Sequence, residues 1–348
     1  MDMFEKYIIN KETTIKESLI KLNDLSGDVL TLFVVEEKRL LGTVTDGDIR
    51  RALVKDISLN DSVEKIMKTD FSFIYPNEKN IQKIRNIRAK GIHLLPCINE
   101  DGDLLKVYDL KKKKSILPID AILMAGGKGE RLRPLTENTP KPLLKVGEKA
   151  IIDYNVDNLI NYGVENIHIT TNYLAEQLEQ HFAEERQEIK INCVREKEYL
   201  GTIASVKLIS DIKNDDVLVM NSDLFTNIDF EDFYRHFREN DADMSVAAVP
   251  YPINIPYGIF ELEGRNIQGI KEKPTYNYYA NAGIYLIKKN LLDLIPAGVY
   301  FHASDFMELL ISQKKTVIRY PLVGYWIDIG KPEDYQKAQD FAKHAMNY

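Results

Sequence analysis

From Ile119 onward the sequence keeps switching between two periods, and that alternation leaves it few folds to choose from. "IDAILMA" (residues 119–125) reads as an apolar strand, Asp120 apart. "AIIDYNVDNLINYG" (150–163) is an amphipathic helix, with Ile151, Ile152, Val156, Leu159 and Ile160 on its apolar side and Gly163 as its stop. Strand "NIHITTN" (166–172), helix "LAEQLEQHF" (174–182), strand "IKINCVR" (189–195), helix "GTIASVKLISDI" (201–212) and strand "DVLVMN" (216–221) follow. Strand and helix alternating in this way predict a doubly wound, mostly parallel, right-handed α/β sheet. Such sheets bind ligands at the carboxyl ends of their strands.

Before Ile119 the rhythm is different. "LTLFVVEEKRLLGTVTDGDIRRAL" (30–53) reads as strand, turn at Glu36–Arg39, strand, then a helix from about Asp46. "GIHLLPCINEDGDLLKVYDL" (91–110) repeats strand, acidic turn and strand, and each copy follows an amphipathic helix, "TIKESLIKLNDL" and "NIQKIRNIRAKG". Such duplication predicts two units burying a shared face. The run Lys111–Lys114 could form a phosphate-binding patch, but it falls where the two patterns meet and reads rather as a solvated linker. The expected domains are therefore 1–115 and 116–348, and the 348-residue length suits two domains.

This first region resembles a tandem pair of CBS motifs, a small α+β regulatory nucleotide-binding module, through "GTVTDGDI" (42–49). The resemblance implies that Thr45 and Asp48 hold the phosphate and ribose of a nucleotide effector. An aspartate near a helix start also suits the helix dipole, and these two residues can equally serve as the helix cap. "LLKVYDL" in the second copy lacks both residues, so at most one effector site is expected. CBS pairs commonly associate face to face, so the resemblance also implies a homo-oligomer.

The first strand of the α/β region runs into "GGKGERLRPLTENTPKPLL" (126–144). A glycine-rich turn after a buried strand lets backbone N–H groups approach phosphate oxygens. It is not a Walker loop, because Gly127-Lys128 is followed by Gly129, nor a dinucleotide fingerprint, because Leu132 stands at the third glycine position. Lys128, Arg131, Arg133 and Lys141 lie close behind it, and Thr139-Pro140 and Pro142 hold Lys141 stiffly.

Gly126-Gly127-x-Gly129-x-Arg131-Leu132-x-Pro134-Leu135-Thr136, followed by Pro140-Lys141-Pro142-Leu143-Leu144, resembles the signature of the sugar-1-phosphate nucleotidyltransferases. These join a sugar 1-phosphate to a nucleoside triphosphate and release pyrophosphate. The resemblance runs from about Asp120 onward and implies a Rossmann-like sheet. It makes Leu123, Ala125, Gly126, Gly127 and Gly129 nucleotide contacts. Arg131 grips the triphosphate, and Lys141 lies between the reacting phosphates. "MNSDLF" supplies Asp223 and "GYWIDIG" supplies Asp328 as the metal carboxylates, with Ser222 replacing the family's usual glycine. A hard cation held by few carboxylates amid phosphates describes Mg2+. "IKEKP" gives Lys273 for the sugar phosphate and Glu272 for sugar hydroxyls. Tyr257-Gly258 and Asn281-Ala282-Gly283 match sugar-contacting segments. The attacking phosphate is already an anion, so no general base is required.

"VREKEYLGTIAS" (194–205) resembles the base-contact segment, with Gly201 and Thr202 at the base and Glu196 where relatives often carry glutamine. A carboxylate only accepts hydrogen bonds, and guanine offers two adjacent donors, so Glu196 favours GTP over UTP, CTP or dTTP. The bland alternative is a glutamate on a solvated, charged segment. A CBS pair ahead of such a domain resembles the guanylyltransferases that feed bacterial nonulosonic (legionaminic) acid synthesis from glucosamine 1-phosphate; others with this arrangement use mannose 1-phosphate. The 18 residues after Gly330 read as a helix, leaving no room for a hexapeptide-repeat domain. A catalytically inactive nucleotide sensor is the rival of another class; Arg131, Lys141, Asp223, Lys273 and Asp328 together argue against it.

Other classes are excluded. The net charge is −7; residues 1–117 carry 21 Lys and Arg against 19 Asp and Glu, leaving 25 against 34 beyond them. A nucleic-acid binder would present a basic surface. No apolar run reaches a membrane span, "MDMFEKYIIN" has no signal pattern, and Cys97 and Cys193 read as buried reduced thiols. A cytoplasmic protein is expected.

Overall fold

In the computed structural model, which describes residues 4–76, 78 and 80–345, the chain divides between Leu117 and Pro118. The first unit contains β1 (Ile8–Asn10), α1 (Ile15–Asp24), β2 (Thr31–Glu36), β3 (Arg39–Thr45), α2 (Asp46–Val54), α3 (Ile81–Ala89), β4 (Leu94–Ile98) and β5 (Leu104–Asp109). β1 runs parallel to β2, and β2 pairs antiparallel with β3. β4 and β5 form the second antiparallel hairpin. Leu32, Phe33 and Val34 of β2 are fully buried in succession, so this strand is covered on both faces. Polar caps begin the helices. Thr14 and Glu17 form a capping box at α1, and Thr45 and Asp48 form another at α2.

The second unit contains β6 (Ile119–Ala125), the short hairpin β7 (Lys145–Val146) and β8 (Lys149–Ala150), α4 (Ile151–Asn161), β9 (Asn166–Thr171), α5 (Ala175–His181), β10 (Ile191–Arg195), β11 (Asp216–Asn221), β12 (Leu224–Thr226) and α6 (Phe230–Glu239). Then come β13 (Met244–Asn254), β14 (Ile259–Glu263), β15 (Asn266–Lys271), β16 (Thr275–Lys288), α7 (Ala303–Ser312), β17 (Val317–Pro321), β18 (Trp326–Asp328) and α8 (Pro332–Ala345). Seven strands make one sheet in the order β10-β9-β6-β11-β16-β13-β17. Every neighbouring pair is parallel except those made by β16, which runs antiparallel to both β11 and β13. The predicted Rossmann-like, mostly parallel α/β sheet is what forms.

Two features depart from the sequence reading. Gly201–Ile212 is not an α-helix: a 3-10 turn covers Ala204–Leu208. Ile203, Ala204, Ser205 and Val206 are buried in succession, so this stretch lacks the alternation of buried and exposed faces that a surface α-helix shows. Beyond the sheet, the ends of β13 and β16 continue as a two-stranded ribbon, pairing Pro250↔Tyr279 through Asn254↔Thr275, which carries the β14–β15 hairpin. Cys97 is buried and Cys193 half-buried, neither in a disulfide, and burial pushes the Cys193 thiol up to about 11. Among the described residues no helix is long and apolar enough to cross a membrane.

Candidate active site

The glycine loop leaves the carboxyl end of β6 and is pinned from several sides. Thr136, fully buried, donates its hydroxyl to Gly129 O at 2.8 Å, and Tyr173 donates to Thr136 O and Glu137 O at 3.0 Å each. Leu132 packs into the core with Phe225 and Ile329, so Arg131 beside it has an anchored backbone. Pro140 and Pro142 flank Lys141 at the start of another 3-10 turn.

Short strands bring the two candidate metal carboxylates together. β12 begins one residue after Asp223 and pairs antiparallel with β18, which ends in Asp328, with Leu224 opposite Asp328. Asn155, buried on α4, donates to Leu224 O at 2.8 Å and holds this strand down. The Lys141 ammonium is ion-paired with Asp223 and lies 4.0 Å from Asp328 Oδ1. Burial and then the Asp223 charge push the Asp328 carboxyl up, while Lys141 and Arg131 pull it down. Asp223 Oδ1 is buried and has no hydrogen-bond partner among the described residues. An orphaned carboxylate oxygen beside a second carboxylate fits a hard divalent cation whose other ligands are phosphates and water. Among the described residues there is no cluster of three or more metal-ligating side chains. Ser222, at the expected glycine position, donates its hydroxyl to Met124 O at 2.7 Å and ties β11 to β6.

The opposite wall carries Glu196. Its side chain is buried, not solvated, and Oε2 accepts the Leu200 N–H at 3.1 Å. Burial pushes this carboxyl up, opposed by the Leu200 N–H. Two glycines permit the close approach. A Cβ on Gly126 would sit 2.5 Å from Glu196 Oε1, and one on Gly201, whose φ is +90°, would sit 2.6 Å from Phe301 O. Thr202 Oγ1 accepts the Ala303 N–H at 3.0 Å.

These elements enclose a cleft of about 620 Å³, lined by Ala125–Leu132, Lys141, Glu196, Gly201, Thr202, Asp223 and Gly330, together with Tyr199 and Asn221, which the sequence did not single out. Leu123 is not at the cleft surface: its side chain is fully buried in the sheet. Asp328 borders the cleft through Lys141 and the Arg131 guanidinium, which comes within 3.4 Å of a Cβ built on Gly330. The candidate sugar residues divide into two groups. Gly283 abuts Asn221, and Asn281 donates to Tyr285 OH at 2.9 Å, at the root of the ribbon. Tyr257, Gly258, Glu272 and Lys273 lie farther out, around the β14–β15 hairpin, and do not line the cleft.

In the first unit, Thr45 and Asp48 line a separate cavity of about 440 Å³ with Phe33, Lys68, Phe71 and His93. They are also engaged with each other: Thr45 Oγ1 donates to Asp48 Oδ2 at 2.6 Å, and Arg51 donates to Asp48 Oδ1 at 2.5 Å. Against the upward push of burial, these contacts hold the Asp48 carboxyl below its ordinary value.

Comparison with known proteins matches residues 120–345 to the nucleotidyl transferase family and residues 3–55 to the CBS domain family. The mannose-1-phosphate guanyltransferase beta-B of Xenopus laevis is 30% identical over 224 residues, 62% of this chain and 62% of that protein. The bifunctional protein GlmU of Methanocaldococcus jannaschii is 32% identical over 237 residues, 66% of this chain and 55% of that protein. The chain therefore spans less than two thirds of the length of these relatives. The crystal structure of HddC from Yersinia pseudotuberculosis superposes with a TM-score of 0.51 at 25% identity, over 64% of this chain and 98% of that one.

Proposed function

Since the chain belongs to the nucleotidyl transferase family, we propose that its cleft joins GTP to a sugar 1-phosphate, glucosamine 1-phosphate first, forming a nucleotide sugar and releasing pyrophosphate. A sugar phosphate oxygen bonds to the α-phosphorus while the bond to the pyrophosphate oxygen breaks. The observation that carries this reading is Lys141, held against Asp223 and Asp328 at the mouth of the glycine loop. Two carboxylates and a fixed ammonium at that point suit a reaction that gathers negative charge. Asp223 and Asp328 would hold Mg2+, which when bound neutralises charge on the triphosphate. The loop N–H groups and Arg131 grip the triphosphate, and Lys141 steadies the phosphate undergoing substitution. Buried Glu196 offers its acceptors to the two donors of guanine. Lys273 and Glu272, carried on the ribbon, take the sugar phosphate and its hydroxyls.

Mannose 1-phosphate is the second reading for the sugar, favoured by the names of relatives such as that of Xenopus laevis. For the first unit, the cavity at Thr45 and Asp48 supports a nucleotide effector, and the CBS fold supports a homo-oligomer. The test is pyrophosphate release with four nucleoside triphosphates against a panel of sugar 1-phosphates in Mg2+. The expected best pair is GTP with glucosamine 1-phosphate. A mannose 1-phosphate maximum selects the second reading, a UTP or dTTP maximum overturns the base assignment, and no release with any pair overturns the function.

A further inference from the structure

The cleft wall between Glu196 and Gly201 carries one aromatic side chain. Tyr199 lines the cleft with 41% of its surface exposed. Its ring meets Tyr300 edge-on, with centroids 6.0 Å apart and planes at 68°, and Tyr300 meets His302 similarly at 4.8 Å and 80°. The same segment also fixes the backbone beside Tyr199. The Phe301 N–H donates to Leu200 O at 2.9 Å, and His302 Nδ1 lies 3.3 Å from Thr202 Oγ1, the hydroxyl that the Ala303 N–H already holds. Burial raises the Tyr199 phenol, followed by the influence of Tyr300, Glu196 and Asp223.

An exposed aromatic face on the wall of a cleft can pack against a flat partner and shed the water over it, and every nucleobase offers such a face. We propose that Tyr199 is a nucleotide-binding residue whose ring packs on the face of the base whose edge meets Glu196, and that the strap Tyr300–Ala303 positions it. This rests on the reading of the cleft as a nucleoside triphosphate site. Ring packing is indifferent to the identity of the base, so Tyr199 supplies affinity where Glu196 supplies selection.

The test is calorimetric binding of GTP, UTP and pyrophosphate to the full chain, without sugar phosphate. Tyr199→Ala is expected to weaken GTP and UTP alike, by about tenfold, a typical loss for one aromatic–base contact. Pyrophosphate binding stays unchanged, and Tyr199→Phe retains affinity because the ring carries the effect. Tyr199→Leu, which keeps the bulk but not the flat face, behaves like Tyr199→Ala and guards against a folding defect. His302→Ala raises the KM for GTP several-fold with kcat preserved. Wild-type GTP affinity in Tyr199→Ala, or a parallel loss of pyrophosphate binding, overturns the proposal. Failure of the wild-type chain to bind any of the three ligands would instead overturn the nucleotide reading on which it rests.

Discussion

Glu196 commits one carboxylate oxygen to the Leu200 N–H and presses the other towards Gly126. Burial raises its carboxyl, so it gains a proton at higher pH than a free glutamate does. Folding stability from this group is greatest below the ordinary glutamate value and is lost as pH rises through the raised one. Binding runs the other way, because a protonated Glu196 no longer accepts both guanine donors. The KM for GTP is therefore expected to rise as pH falls through a window just above the ordinary carboxylate range. Glu196→Gln should flatten that profile and move relative use towards UTP or dTTP by about tenfold, the scale of one charged hydrogen bond. Asp223→Asn should cut turnover by orders of magnitude with an unchanged melting temperature, and Lys141→Ala should lower kcat more than it raises KM. The glycine loop and Lys141 could be named from one long local motif, whereas Asp223 and Asp328 could be named only one by one from a family resemblance, since it is the distant pairing of β12 with β18 that brings them together. The burial of Glu196 was not legible, because its neighbours Arg195, Lys197 and Glu198 are charged while the contacts that cover it come from Thr171, Asn172 and Gly126.

Helix α2 shows what one element owes to its first turn. Thr45 and Asp48 cap it reciprocally, and Asp48 is anchored by Arg51 as well. Thr45→Ala is expected to destabilise the first unit by about 1 kcal/mol, read as a lowered denaturation midpoint with the slope unchanged. Elements with clear periods were read correctly from sequence: α1, α3, α4 and the strands β2, β3, β6, β9 and β11 lie where patterning puts them. The failures share a cause, which is order imposed from a distance. Gly201–Ile212 takes its course from the strap at Tyr300–Ala303, and three-residue β12 gains its partner only when β18 arrives near the end of the unit. Neither dependence leaves a periodic mark in the local sequence.

Across the whole molecule, the first unit adds a cavity that the catalytic reading does not use. If a nucleotide acts there, it must favour one state of the enzyme over another, since equal affinity for both shifts nothing. Initial rates of the full chain are therefore expected to respond to an added nucleotide, and Asp48→Asn should abolish the response while leaving the basal rate intact. A rate indifferent to every nucleotide tested would leave the first unit without the regulatory task proposed for it. The order of strands has a consequence of another kind, in the chain's biosynthesis. β6 lies inside the sheet between β9 and β11, yet it leaves the ribosome before either of them. At ~5–20 residues per second, the stretch to β11 takes roughly 5–20 s to emerge, and until then an apolar strand trails the first unit with at least one edge open. Losses to aggregation during synthesis should therefore fall on residues 119–125, a segment that the finished fold hides almost completely.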